Sequence, residues 1–182
     1  MVIMMVGLPG TGKSTLAGAL AKRCDGVVLD KDAIRAALFT PAHIAYSREQ
    51  DDFCQQIMLL TAEYLLPRNL TLRIFLDGRP FSWRYQREQV RDTVTRLHTP
   101  LAIIECTCSE AAALERLRRD RESGAHVAAN RSGELYAAIK AGFEPLTEAR
   151  FTVNTDNPLA ECVHQAEAYL DGISRSNRSP ER

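Results

Sequence analysis

The stretch Gly7-Leu8-Pro9-Gly10-Thr11-Gly12-Lys13-Ser14 decides how this chain is read. It fits the pattern G-x-x-x-x-G-K-[ST], which cradles phosphates when it follows a strand and opens a helix. Both flanks satisfy that condition. Met1-Val2-Ile3-Met4-Met5-Val6 is short, apolar and β-capable, and Thr15 to Lys22 reads as a helix. Gly7, Gly10 and Gly12 let backbone N–H groups close around a β-phosphate where side chains would collide. Lys13 is placed to reach the β- and γ-phosphates, and the Ser14 hydroxyl to ligate Mg²⁺. Thr11 lies within the loop. Thr15 sits in the first helical turn, where the helix terminus attracts anions. The ligand implied is a nucleoside triphosphate with Mg²⁺.

The remaining sequence bounds the answer. A chain of 182 residues predicts one domain with a full core. Its 23 basic and 23 acidic residues cancel, against the basic excess of an extended nucleic-acid surface, although a local basic groove remains compatible. The five cysteines are scattered, odd in number and without a completing histidine, which favours free thiols in a reducing compartment over zinc or disulfides. No 18-residue apolar run offers a membrane span, and the apolar start lacks the basic leader of a signal peptide. The expectation is a cytosolic protein with no membrane partner.

Strands expected at Val27–Leu29, Leu72–Leu76, Leu101–Cys106 and Phe151–Val153 alternate with helices. The helices begin near Ala33, Arg48, Trp83, Glu110, Glu134 and Asn157. This order predicts an α/β three-layer sandwich with a mostly parallel sheet and helices on both faces. Ligands in such sheets sit at the carboxyl ends of the strands. Ser47, with Gln50 three residues on, has the form of a capping box. The helix after it carries Phe53, Ile57, Leu60 and Tyr64 at helical spacing. Leu114 and Leu117 are expected to face the core, and residues 172–182 to form a loose tail after a helix ending at Tyr169-Leu170.

Several residues on that rim could carry chemistry. Asp32 and Arg35, three apart at the start of a helix, can face one ligand. Phosphoryl transfer needs a group that takes or orients the acceptor proton, which a carboxylate supplies, and a guanidinium can hold the acceptor. Their alternative roles are a first-turn helix acid and a solvated flank. Asp30 competes as a carboxylate, with helix capping as its plainer role. Asp77 ends the third strand where it could support Mg²⁺ or orient the acceptor, or simply form an Asp-Gly turn. Arg79 could hold a polar or anionic substrate group. Arg84 is a weaker candidate beside Phe81, Trp83 and Tyr85, which could simply pack the helix start.

From Arg116 to Arg131 five arginines fall in sixteen residues beside glycine-containing sequence, as in a lid at about 118–133 that brings cations to the phosphates. A solvated helix face is the alternative. Arg119 is the first candidate there, then Arg116, with Arg121 and Arg131 behind. Thr155, after the last strand, is placed to contact a nucleotide base.

The loop through Thr15 resembles that of small P-loop kinases acting on hydroxyl groups. This group includes gluconate kinase-like, chloramphenicol phosphotransferase-like, adenylylsulfate kinase-like, zeta-toxin-like and polynucleotide kinase-like proteins. Asp32-x-x-Arg35, Asp77-Gly78 and Arg116-x-x-Arg119 match the group's elements. Phe143-Glu144-Pro145 and Val153-Asn154-Thr155 are similar to a branch described only as ATP-binding proteins. The resemblance covers most of residues 1–170 and implies a kinase domain over 1–171, with ATP and Mg²⁺ as cofactors, Asp32 as general base and Arg35 as a substrate ligand. Residues 42–56 and 79–89 match no subgroup, so the acceptor stays open. A small polar hydroxyl compound is favoured over a polynucleotide 5′-hydroxyl. A non-catalytic ATP-binding regulator is the reading from another class.

Overall fold

The structure is a computed structural model that describes residues 1–123 and 132–176. Its strands are β1 (Val2–Val6), β2 (Val27–Asp30), β3 (Ile74–Asp77), β4 (Leu101–Thr107) and β5 (Phe151–Asn154). Its helices are α1 (Lys13–Cys24), α2 (Lys31–Leu38), α3 (Arg48–Leu65), α4 (Arg84–Arg96), α5 (Glu110–Ser123), α6 (Gly133–Ala141) and α7 (Leu159–Ser176). The five strands form one sheet in the order β2-β3-β1-β4-β5, and every neighbouring pair is parallel. Parallel strands need crossover connections, and the helices supply them over both faces.

The period of two along β1 sorts its side chains between two cores. Ile3 and Met5 pack with Leu16 and Leu20 of α1 and Ala166 and Leu170 of α7. Val2, Met4 and Val6 face the other way, against Met58 and Ala62 of α3 and Val90 and Val94 of α4. Burial on both sides is why β1 reads as an unbroken apolar run rather than an alternating one. Asp30 caps α2, accepting from the backbone N–H of Asp32 at 2.7 Å and of Ala33 at 3.2 Å. Ser47 accepts from Gln50 N at 3.2 Å, but the Gln50 side chain closes no capping box. It accepts from Ala45 N and donates to His43 O instead, tying down the loop before α3.

Three expectations about packing are corrected. On α3 the inward face is Cys54, Met58, Leu59 and Ala62, while Phe53, Leu60 and Tyr64 are exposed. The smaller side chains sit where the helix approaches the sheet. Leu114 is exposed and Leu117 alone of the pair is buried. The last helix continues past Leu170 to Ser176, because Ile173 packs against the core and Arg73 holds Asp171 at 2.7 Å. Residues 177–182 of the expected tail lie outside the described residues.

Candidate active site

β1 ends in the middle of the sheet, so the loop after it opens at the crevice where connections leave for both sides. Two glycines there are forced. Gly7 (φ 141°) would put a Cβ 2.4 Å from Cys106 O, and Gly10 (φ 78°) one 2.5 Å from Ala113 O. Gly12 takes the left-handed N-cap of α1, which leaves the first N–H groups of that helix pointing into the crevice. The Lys13 ammonium donates to Gly7 O at 2.8 Å and Leu8 O at 2.7 Å, folded back along its own loop.

A cavity of about 330 Å³ opens there, lined by Gly10, Gly12, Lys13, Ser14 and Thr15 on one side and by Lys31, Asp32, Tyr46, Asp51 and Arg79 on the other. A second, of about 250 Å³, lies behind α1 between Gly12, Thr15, Arg116, Thr155 and Asn157. Thr155 packs on Gly12, and its hydroxyl bonds to Thr11 O at 3.0 Å.

The carboxylate Asp32, in the first turn of α2, is buried with its side chain 10% exposed. Its Oδ1 accepts from Arg35 at 2.6 Å and forms an ion pair with Lys31 at 3.1 Å, and Oδ2 has no protein partner among the described residues. Asp51 repeats the arrangement: Oδ1 takes Lys31 at 2.8 Å and also Arg35, and Oδ2 has no protein partner among the described residues. Asp77 is 1% exposed, and neither of its carboxylate oxygens has a hydrogen-bond partner. Across the register from it, burial and then the Asp77 charge push the Asp30 carboxyl above its usual range.

Four of the candidate arginines stand in ion pairs in this structure. Arg35, fully buried, does not line the cavity; it holds Asp32 and Asp51 in position. Arg79 borders the cavity, but its guanidinium is bound by Asp52, Gln55 Oε1 at 2.8 Å and Asp51 O at 3.3 Å, so it braces α3 rather than offering a free cation. The Arg84 side chain is 74% exposed, pairs with Glu88 one turn on, and lines neither cavity.

Arg119 is 72% exposed and turned to Glu115 at 2.8 Å, away from both cavities. Hydrogen bonds from Arg118 and then Arg119 hold the Glu115 carboxyl down to about 2. The i−4 glutamate captures Arg119, whereas Arg116 on the inner face donates to Gly10 O at 3.3 Å and Thr155 O at 2.8 Å. Arg121 is exposed at the end of α5, and Arg131 lies outside the described residues, as does half of the expected lid. Arg116→Ala is therefore expected to weaken AMPPNP binding about tenfold or more, ~1.4 kcal/mol per decade. Arg119→Ala should shift it by no more than about twofold. Fluorescence titration of the two variants checks the difference.

Sequence reasoning missed Asp51, Lys31 and Tyr46. Asp51 comes from a region without a motif, and Lys31 is flanked by two more conspicuous aspartates.

The central phosphate loop, parallel sheet and rim of carboxylates define a P-loop nucleoside-triphosphate-binding protein with the fold of the small kinases. The AAA domain family matches residues 2–146, and the chain belongs to that family. No curated protein is similar enough in sequence to match. Among solved structures, a gluconokinase from Sinorhizobium meliloti 1021 is 23% identical, with 96% of this chain and 91% of that one covered and a TM-score of 0.66. A sugar kinase from Janibacter sp. HTCC2649 is 15% identical, covering 98% of each chain at a TM-score of 0.69. The APS kinase of Mycobacterium tuberculosis, in complex with AMPPNP and APS, is 16% identical, with 93% and 96% covered and a TM-score of 0.70. At these identities the likeness is one of fold. No helix among the described residues is long and apolar enough to cross a membrane.

Proposed function

We propose that this chain is an ATP-dependent phosphotransferase that moves the γ-phosphoryl group of ATP to a hydroxyl of a small polar molecule, with Asp32 as general base. The observation that carries this reading is the open Oδ2 of buried Asp32 in the same cavity as the phosphate loop. A carboxylate there takes the proton as the acceptor oxygen bonds to the γ-phosphorus. The bond from that phosphorus to the β,γ-bridging oxygen breaks, and ADP leaves. Lys13 must swing from the Gly7 and Leu8 carbonyls to the phosphates. The α1 N-terminus receives their charge, and Arg116 braces the loop against Thr155. Lys31 and Arg35 hold Asp32 in place.

The residues present fit Mg²⁺. Hard oxygen donors suit it, and it keeps several waters, so it needs one hydroxyl and one carboxylate rather than a protein cage. No group of three His, Cys, Asp or Glu gathers as a metal cage among the described residues. Ser14 at the cavity wall and Asp77, with two unpartnered buried oxygens, would hold the ion directly or through water. When bound, Mg²⁺ neutralises charge on the β- and γ-phosphates.

An unpartnered buried carboxylate costs stability that its ligand returns. Asp77→Leu is thus expected to stabilise the ligand-free protein by about 1–3 kcal/mol. The same change should abolish most of the extra stability that Mg²⁺ adds to ATP. Thermal melts with and without ligand read both effects; an unchanged Mg²⁺ increment would remove Asp77 from the metal site.

The reaction itself is tested by incubating the protein with ATP, Mg²⁺ and a mixed panel of sugars, nucleosides, aminoglycosides, phenicols and 5′-hydroxyl oligonucleotides. An 80-Da gain by a small acceptor is the expected result, a mass fixed by the HPO₃ unit of phosphoryl transfer. Gain by the oligonucleotide alone would make the acceptor a polynucleotide. Tight ATP binding with no transfer would favour a regulator.

A further inference from the structure

We infer that the acceptor is an uncharged polyhydroxylated molecule, and that the acceptor half of the cavity discriminates against carboxylate-, sulfate- or phosphate-bearing analogues. This rests on the phosphotransferase reading and deepens it. A site for an anionic acceptor must offer a cation whose charge is not already met. Among the described residues the two cations lining that half, and the one behind it, are each bound by carboxylates: Lys31 by Asp32 and Asp51, Arg79 by Asp52, and Arg35 behind the wall by Asp32 and Asp51. Three positive charges face three negative ones, which leaves this half with no excess positive charge. An incoming anion would have to displace one of these carboxylates or sit beside it, and like charges at contact distance are strongly disfavoured.

Arg35 Nε is an unpartnered donor, but it is buried and off the cavity; the open atoms of the residues lining this wall are acceptors. Asp32 and Asp51 both give Oδ1 to the cations, and among the described residues both keep Oδ2 without a protein partner while lining one cavity. Ionised carboxylate oxygens only accept hydrogen bonds. They therefore select a ligand that donates, and hydroxyl groups donate while anionic groups do not. Two such acceptors on one wall suit at least two hydroxyls, one of them the phosphorylated oxygen at Asp32. The Tyr46 ring completes the wall, lying 5.2 Å from the Arg35 guanidinium, and gives an apolar face for the C–H side of a polyol.

The test uses matched pairs that differ by one oxidised carbon: glucose and gluconate, ribose and ribonate, glycerol and glycerate. Binding to the full chain loaded with AMPPNP and Mg²⁺ is followed by saturation-transfer NMR and titration. Neutral members should bind at least tenfold more tightly than their acids. Asp51→Asn removes one negative charge from beside Lys31 and Arg35, so it should narrow that ratio about tenfold. Equal binding, tighter binding of the acids, or no binding of any neutral member overturns the inference on the native protein alone, whatever the variant does. Replacing AMPPNP by ATP keeps the two readings apart. Neutral polyols that bind and gain no phosphoryl group would sink the phosphotransferase and leave the selectivity standing. Acids that are phosphorylated in preference would do the reverse.

Discussion

Asp32→Asn is expected to lower kcat/KM for phosphoryl transfer by roughly 10²–10⁴, the range that general-base catalysis contributes. Nucleotide affinity should stay within about twofold, because the phosphate loop and its helix terminus are separate from Asp32. The substitution keeps the shape of the side chain and removes its basicity. It also leaves Lys31 and Arg35 with one carboxylate partner instead of two. Arg35 is buried, so a fall of about 1–3 kcal/mol in stability should accompany the kinetic loss. Rates are therefore to be normalised to folded protein, measured by thermal melt in the same buffer. If the folded variant retains more than a tenth of the native rate, Asp32 is a positioning group and another base takes the proton.

The second large effect concerns a residue far from the chemistry. Arg87→Leu should destabilise the protein by about 3–5 kcal/mol, as expected when one partner of a buried ion pair is removed. Arg87 is 1% exposed and donates to Glu148 at 2.9 Å, Phe81 O at 3.0 Å and Pro145 O at 3.0 Å. It thereby joins the loop after β3, where Phe81 has a positive φ of 54°, to the strap between α6 and β5. Without it Glu148 keeps Arg91 at 3.3 Å and loses its buried partner.

Burial is the largest single influence and pushes the Glu148 carboxyl up, but the Arg87 hydrogen bond and charge, together with backbone N–H bonds, outweigh it and hold the group below its usual range. A depressed folded value means the stabilisation is present above the ordinary glutamate range and is lost as pH falls through the folded value. The gap between native and variant should accordingly shrink in acid. Denaturant unfolding at several pH values reads it, and Arg87→Leu combined with Glu148→Leu should recover part of the loss. A gap below about 1 kcal/mol at neutral pH would mean that water replaces the guanidinium.

Much of the fold is legible in local sequence. The phosphate loop declares itself because its glycines, lysine and serine act through the backbone of one short segment, between a strand and a helix that are also local. Asp30 as the cap of α2 and Pro67 at the end of α3 are likewise decided by neighbours in the chain. The alternation of strand and helix implies the parallel sheet, because parallel strands cannot be joined any other way.

Tertiary structure decided whether the charges of Arg35 and Arg79 are free, whereas Arg84 and Arg119 each meet a glutamate of their own helix. By spacing, Arg35, Arg79, Arg84 and Arg119 all looked able to meet a ligand. Their fates depend on Asp51, Asp52, Glu88 and Glu115, two of which reach them from α3. The same holds for the face α3 turns inward, since Cys54, Met58 and Ala62 rather than Phe53, Leu60 and Tyr64 meet the sheet. A side chain's charge is written in the sequence, but whether that charge is already met depends on what the fold brings within a few ångströms. Local sequence therefore identifies the phosphate-loop half of this cavity, whereas the character of the half proposed to take the acceptor, set by Lys31, Arg35 and Asp51 across two helices, exists only once α2 and α3 are packed together.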